Sequence, residues 1–361
     1  MHRYPFLTRP PYLVTFYALA VLLLLLFPAT ASARSTSGGF YQQTNLVSDI
    51  SGKAQFTDPN LVNPWGISFA PGSPFWVSDE GTGLSTLYNG SGQPQSLVVT
   101  VPPAPGGTVG TPTGTVFNST SGFVVSENGK SGASLFLFDS LDGTISGWSS
   151  GVDATHAIIA VNNAGKAVYT GLAIGSNQSG TFLYAANFAT GTIDVFNKKF
   201  APATLQGSFK DTGIPAGYAP FNIQLIGSNL YVMYARQDRV AGIGHGFVDI
   251  FDTNGNFIKR LISHSKLNLP WGVALAPANY GQFSNDLLVG NFGNGRIHAF
   301  DPTTGAFLGT LNNSSNKPLV NGHLWALAFG TGGQGGQTNQ LFFTAGIKNE
   351  LHGLFGMITA M

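Results

Sequence analysis

The constraint that narrows the fold most is an internal repeat. Pro64-Trp65-Gly66-Ile67-Ser68-Phe69-Ala70-Pro71 returns as Pro270-Trp271-Gly272-Val273-Ala274-Leu275-Ala276-Pro277. Weaker copies are Pro112-Thr113-Gly114, Tyr169-Thr170-Gly171-Leu172, Pro220-Phe221-Asn222-Ile223-Gln224-Leu225 and Leu324-Trp325-Ala326-Leu327. Aligned on positions 65, 113, 170, 221, 271 and 325, the copies are spaced by 48, 57, 51, 50 and 54 residues. A period of roughly 50 residues is a propeller-blade length and too long for most solenoid repeats.

The second half of each unit repeats too: an apolar strand ending in a polar residue, a Gly-rich turn, then a strand closing on an aromatic and Asp or Asn. Trp76-Val77-Ser78-Asp79 leads to Leu87-Tyr88-Asn89, Phe123 to Glu127 leads to Leu137-Phe138-Asp139, and Leu183 to Asn187 leads to Val195-Phe196-Asn197. Leu287 to Asn291 leads to Ala299-Phe300-Asp301, with Leu230 to Tyr234 and Val248 to Asp252 in the fourth unit. Such short β-branched and aromatic runs between turn residues read as strands, and Asp142-Gly143, Asn254-Gly255 and Asn294-Gly295 suit tight hairpins. Near-continuous apolar runs fit blades covered by a neighbour on each face. After about Val320 only three strands can be written, whereas Phe40 to Val47 forms a spare strand before the first unit. The expectation is an all-β, six-bladed β-propeller, its ring closed by the N-terminal strand in the last blade.

Charge bears on partners. Only 9% of the 361 residues are charged, with a formal net charge of +1, which leaves no basic face for nucleic acid. With no cysteine, disulfides, thiolate metal sites and a Cys nucleophile are excluded. Arg3 and Arg9, the apolar run Tyr12 to Phe27, the break at Pro28 and the small-x-small Ala31-Ser32-Ala33 form a secretory signal pattern. The expected organisation is a signal peptide over 1–33 and one propeller domain over 34–361, secreted or extracytoplasmic. An uncleaved signal anchor is the alternative. No later stretch suggests a membrane span, and a monomer is expected.

Asn60-Leu61-Val62-Asn63-Pro64-Trp65-Gly66-Ile67, Leu269-Pro270-Trp271-Gly272, and the closing Phe343-Thr344-Ala345-Gly346 and Gly353-Leu354-Phe355-Gly356 carry a resemblance to NHL-repeat and streptogramin-lyase propellers. More closely, the chain resembles an uncharacterised bacterial family of exported propellers, some of which bear a C-terminal sorting signal. This sequence ends at Met361 after its last strand without an apolar tail, so retention by such machinery is not expected. The resemblance implies fold and export; it carries no activity, because that family has none established.

Equivalent positions of the repeat form rings, and two rings are candidates for chemistry. Asp79, Glu127, Asn187 and Asn291 close the second strand of their units, with Tyr234 and Ala345 in the others. Two carboxylates and two amide oxygens are hard donors that Ca²⁺ accepts, and gluconolactonase-like propellers resemble this in using acidic and Asn residues from several blades. The alternative is that each side chain caps its own turn. No cofactor is otherwise expected. The second ring holds Trp65, Asn222, Trp271 and Trp325, with Asn63 and His323: exposed, it would be a stacking floor for a sugar or flat ligand; buried, it would be inner core. His245, in a charged insertion with Arg236, Asp238 and Arg239, and His323 are the candidate general bases. No nucleophile elbow, P-loop, EF-hand loop or zincin motif is present. Two functions follow: a scaffold binding a protein or glycan partner, or a metal-assisted lactonase or streptogramin-lyase-like enzyme.

Overall fold

The computed structural model describes residues 39–361, so the signal segment expected over 1–33 lies outside the described residues. Apart from two single-turn 3-10 segments, the regular elements described are strands. Among the described residues, no helix is long and apolar enough to cross a membrane.

Six sheets follow one another around the ring, the first five running outward in sequence order from an inner strand. Blade 1 comprises Pro64–Ser68, Phe75–Asp79, Leu84–Tyr88 and Pro94–Thr100; blade 2 comprises Pro112–Phe117, Phe136–Ser140, Thr144–Trp148 and Ile158–Asn162. Blade 3 has three strands, Tyr169–Asn177, Gly180–Asn187 and Thr192–Asn197, and an irregular segment carrying Phe209 packs beside them. Blade 4 comprises Tyr218–Ile226, Asn229–Arg236, Phe247–Asp252 and Phe257–Ser263; blade 5 comprises Pro270–Leu275, Leu287–Asn291, Ile297–Phe300 and Phe307–Thr310. Blade 6 takes Leu324–Phe329, Leu341–Ala345 and Leu354–Ala360 from the C-terminus and Tyr41–Ser48 from the N-terminus, the last two antiparallel, with Phe56–Thr57 added outside. The N-terminal strand thus closes the ring, as the sequence implied.

The packing explains the apolar runs. In blade 1, Phe75 and Val77 pack with Phe342 and Phe355 of blade 6, whereas Trp76 between them packs with Phe136, Phe138 and Trp148 of blade 2. Side chains alternate across a strand, so a sheet buried on both faces needs an apolar residue at every position. Each of the six blade-to-blade junctions holds one apolar cluster, and a further cluster lies on the axis.

The repeat alignment coincides with the structural register. Pro64, Tyr169, Pro220, Pro270 and Leu324 pair with Asp79, Asn187, Tyr234, Asn291 and Ala345, and a register shift follows at once in each inner strand. Blade 2 departs from the sequence expectation: Pro112 pairs with Ser140, not with Glu127. The segment read as its second strand is half of an inserted hairpin, Val124–Glu127 with Lys130–Ala133. Phe123 and Val125 are buried in the junction between blades 2 and 3, which gives the insertion the apolar signature of a blade strand.

Candidate functional site

The axis is closed at one end by aromatic rings. Trp65, Phe221, Trp271, Phe292 and Trp325 are buried together, with Leu141 and Phe188 packed against them, so all six blades contribute. Trp65 of blade 1 lies 6.4 Å from Phe221 of blade 4, directly across the ring, and stacks on Trp325 at 3.4 Å. Trp271 meets Trp65 edge-on at 6.1 Å and donates its Nε1–H to the Thr170 carbonyl at 2.9 Å. The three tryptophans are at most 4% exposed. Of the two alternatives the sequence leaves for this ring, exposed stacking floor or inner core, the rings form the second, a buried plug: opposite blades lie close enough for these large side chains to fill the axis and exclude water.

Asn222 is 3% exposed and works within this layer. Its Nδ2 donates to the Trp271 carbonyl at 2.8 Å and its Oδ1 accepts from the Ile223 N–H at 2.8 Å, tying blade 4 to blade 5. Asn222 and Trp271 also form part of the wall of a cavity of about 530 Å³ on the far side of the plug. The cavity is bounded by the remainder of the inner strands, including Ile67, Phe69, Val116, Ile174, Leu225 and Phe329. Leu275, 45% exposed, sits at its open end. Ser68, Thr115, Gln224 and Thr331 are its other polar side chains, and not one ionisable residue lines it. Ser68 and Thr115 bond to each other at 3.0 Å.

The residues expected as metal donors do not share a centre. Asp79 is fully buried; its Oδ2 accepts from the Thr86 hydroxyl at 2.7 Å and the Thr86 N–H at 3.1 Å. Burial raises its pKa well above the carboxylate range. Asn187 accepts from the Val168 N–H at 3.3 Å and donates to Asp194 at 3.0 Å. Asn291 accepts from the Asn268 N–H at 3.0 Å and donates to the Lys266 carbonyl at 2.8 Å. Glu127 is exposed on the inserted hairpin, outside the ring of equivalent positions. Asp79, Asn187 and Asn291 are thus each bonded to a nearby strand or loop, and among the described residues no group of three His, Cys, Asp or Glu side chains converges. These residues do not fit one Ca²⁺ ion.

The ionisable groups that do converge lie outside the plug, on its other side from the cavity. Trp325 Nε1 donates to Asn63 Oδ1 at 3.0 Å and Asn63 Nδ2 donates to Glu80 at 2.8 Å, a relay from the plug to a carboxylate. Burial raises the Glu80 pKa, the neighbouring Glu350 adds to this, and Arg239 opposes it. Arg239 lies 5.5 Å over the Phe292 ring and reaches Glu350 at 3.5 Å. His323 packs edge-on against Phe292 at 4.8 Å, its Nδ1 buried without a protein partner. His245 is elsewhere engaged, its Nδ1 2.8 Å from the Val240 carbonyl. Sequence reasoning singled out the charged insertion but missed Glu80 and Glu350. The signal available was their scarcity: few charges exist in the chain, and these follow second strands of blades 1 and 6.

No family model matches the chain. Among solved structures, it is similar to virginiamycin B lyase from Staphylococcus aureus, with a TM-score of 0.50, 11% identity, and 89% of this chain and 99% of that one covered. It is also similar to a protein of unknown function from Bacteroides thetaiotaomicron, with a TM-score of 0.56, 12% identity, and 89% and 76% covered. At such identities the likeness concerns the fold alone. Sequence relatives are nearer. Uncharacterized protein R648 of Acanthamoeba polyphaga mimivirus is 34% identical over 326 residues, spanning 87% of this chain and 78% of that protein. Uncharacterized protein L690 of the same virus is 32% identical over 325 residues, spanning 87% and 84%. The chain belongs to one family with these uncharacterised mimivirus proteins.

Proposed function

We propose that the protein is an exported, non-catalytic binding propeller whose open channel receives an uncharged and largely apolar group from its partner. The observation that carries this reading is the channel wall: a cavity of about 530 Å³ without an ionisable side chain. Binding sites are concave and mostly apolar, with a few placed polar groups, and the hydroxyls and amides of Ser68, Thr115, Gln224 and Asn222 meet that description. General acid–base chemistry needs a titratable group within hydrogen-bond reach of the substrate, and this wall supplies none. A lactonase or lyase reading would need the donor set that the second-strand residues fail to assemble. Export rests on the charged, apolar and small-x-small segments of residues 1–33.

The test is a titration with a neutral apolar fluorophore such as Nile red, using the unaltered chain and the channel-filling variant Ala328→Trp. One saturable site in the unaltered chain, weakened at least tenfold by the variant, is expected. Equal binding by both, or no saturable site, would refute the reading.

A further inference from the structure

We infer that the plugged mouth is a recognition site for a guanidinium group, and that the chain's own Arg239 occupies it. The site has the parts that recognise a cation: an aromatic face, Phe292, and two carboxylates, Glu350 and Glu80, with Asn63 orienting the latter. Cations bind over aromatic faces within about 6 Å of the centroid, and Arg239 sits there at 5.5 Å. Its guanidinium is also at 3.5 Å from both oxygens of Glu350. Arg239 arrives on the loop after the second strand of blade 4, whereas Glu350 belongs to blade 6 and Phe292 to blade 5. The occupant is thus supplied by one blade and the receptor by others.

Two features distinguish an exchangeable occupant from a structural brace. First, the ion pair is open to water, with 48% of the Arg239 side chain and 28% of the Glu350 side chain exposed. Exposed pairs of this kind contribute little to stability. Second, the backbone is held in a costly conformation on both sides. Arg239 has φ +56°, and Lys348, Asn349 and Glu350 have φ +52°, +59° and +66°. Side chains other than glycine seldom enter this region even singly, and three successive ones form a left-handed turn that carries Glu350 to the mouth. Strain of this sort concentrates at ligand clamps and switches.

A partner arginine would displace Arg239 and take its place between Phe292 and Glu350. The experiment uses N-acetylarginine methylamide as probe, by calorimetric titration, on the full chain, Arg239→Gly and Arg239→Gly/Glu350→Gln. Glycine suits φ +56° without strain, so the first variant vacates the site at little risk to folding; Arg239→Ala serves as its companion. Binding to Arg239→Gly at least tenfold tighter than to the unaltered chain, and lost in the double variant, is expected. Binding no tighter than in the unaltered chain would overturn the inference. Loss of the cooperative melt in both single variants would overturn it too, by making Arg239 a brace. N-acetyllysine methylamide binding as tightly as the arginine probe would overturn the guanidinium assignment.

Discussion

Asp139 shows how far a single residue can be pushed by its position. It sits in the second strand of blade 2 with none of its surface exposed, accepting the Thr113 hydroxyl at 2.8 Å and the Gly114 N–H at 2.6 Å. Its Oδ2 has no partner. Burial outweighs these bonds and pushes its pKa up to about 6. A carboxyl with a raised folded-state pKa holds its proton better folded than unfolded. Its stabilising contribution is therefore complete below about pH 4 and is lost as pH rises through about 6. The window corresponds to about 3 kcal/mol at about 1.4 kcal/mol per pK unit. Asp139→Asn, which cannot ionise, should gain in melting temperature relative to the unaltered chain between pH 4 and 7. A difference between the two that stays constant over that range, in paired thermal melts, would show that Asp139 does not titrate there. Asp79 also has its pKa raised by burial, so the pH trend should be reduced in Asp139→Asn rather than abolished.

At the scale of the element, the inner strands carry the information that made the fold legible, and a glycine explains why. Gly66, Gly114, Gly171 and Gly272 occupy one position of the repeat, two residues after the paired Pro64, Pro112, Tyr169 and Pro270. A Cβ on Gly272 would come within 2.4 Å of the Trp325 carbonyl oxygen, and one on Gly66 within 2.6 Å of the Thr113 carbonyl oxygen. The next blade's backbone is simply in the way. Gly272→Ala should therefore cost about 1–3 kcal/mol as an overpacking change, measured by denaturant unfolding. Gly322→Ala, with nothing within 4 Å of the new atom, should be near neutral. A constraint that recurs in four of the six blades, with Asn222 and Ala326 at the same position in the other two, leaves a recurring residue, hence the readable period. Glu127 was misplaced for the same reason: Phe123 and Val125 are buried like blade residues, and strand periodicity reports burial rather than the sheet a strand joins. The tryptophan ring was readable as a ring, but its fate was not. Whether Trp65 faces water or Trp325 depends on how closely six blades approach the axis, a distance no local pattern encodes. Glu350 depended on a left-handed turn that its residue types do not announce.

The whole molecule is a ring, and a ring of repeats holds together only if its last junction is made. Tyr41–Ser48 makes that junction, placing Leu46 and Val47 in the cluster between blades 6 and 1, and Tyr41 in the cluster between blades 5 and 6. Tyr41 is further tied down, its hydroxyl donating to the Tyr280 carbonyl at 3.2 Å and accepting the Phe283 N–H at 3.1 Å. Fully burying each such side chain contributes roughly 1.5–3 kcal/mol. Three of them amount to a large share of the roughly 5–15 kcal/mol that separates folded from unfolded chains. A chain beginning at Asp49 should accordingly lose its single cooperative melt or drop in melting temperature by at least about 10 °C, as judged by the usual shift per kcal/mol for large domains. That loss could reflect either the missing strand or the broken chain order, and a permuted chain separates the two. The Met361 N–H donates to the Phe40 carbonyl at 3.0 Å, so the described ends meet at one end of two neighbouring strands of blade 6. Joining Met361 to Phe40 through a short Gly-Ser turn, with new ends between the exposed Ser150 and Gly151, keeps every strand in place while moving the break to another blade. The permutant should melt cooperatively near the unaltered chain. If it unfolds like the truncated chain, the ring depends on the order in which its blades are made as well as on the strand that closes it.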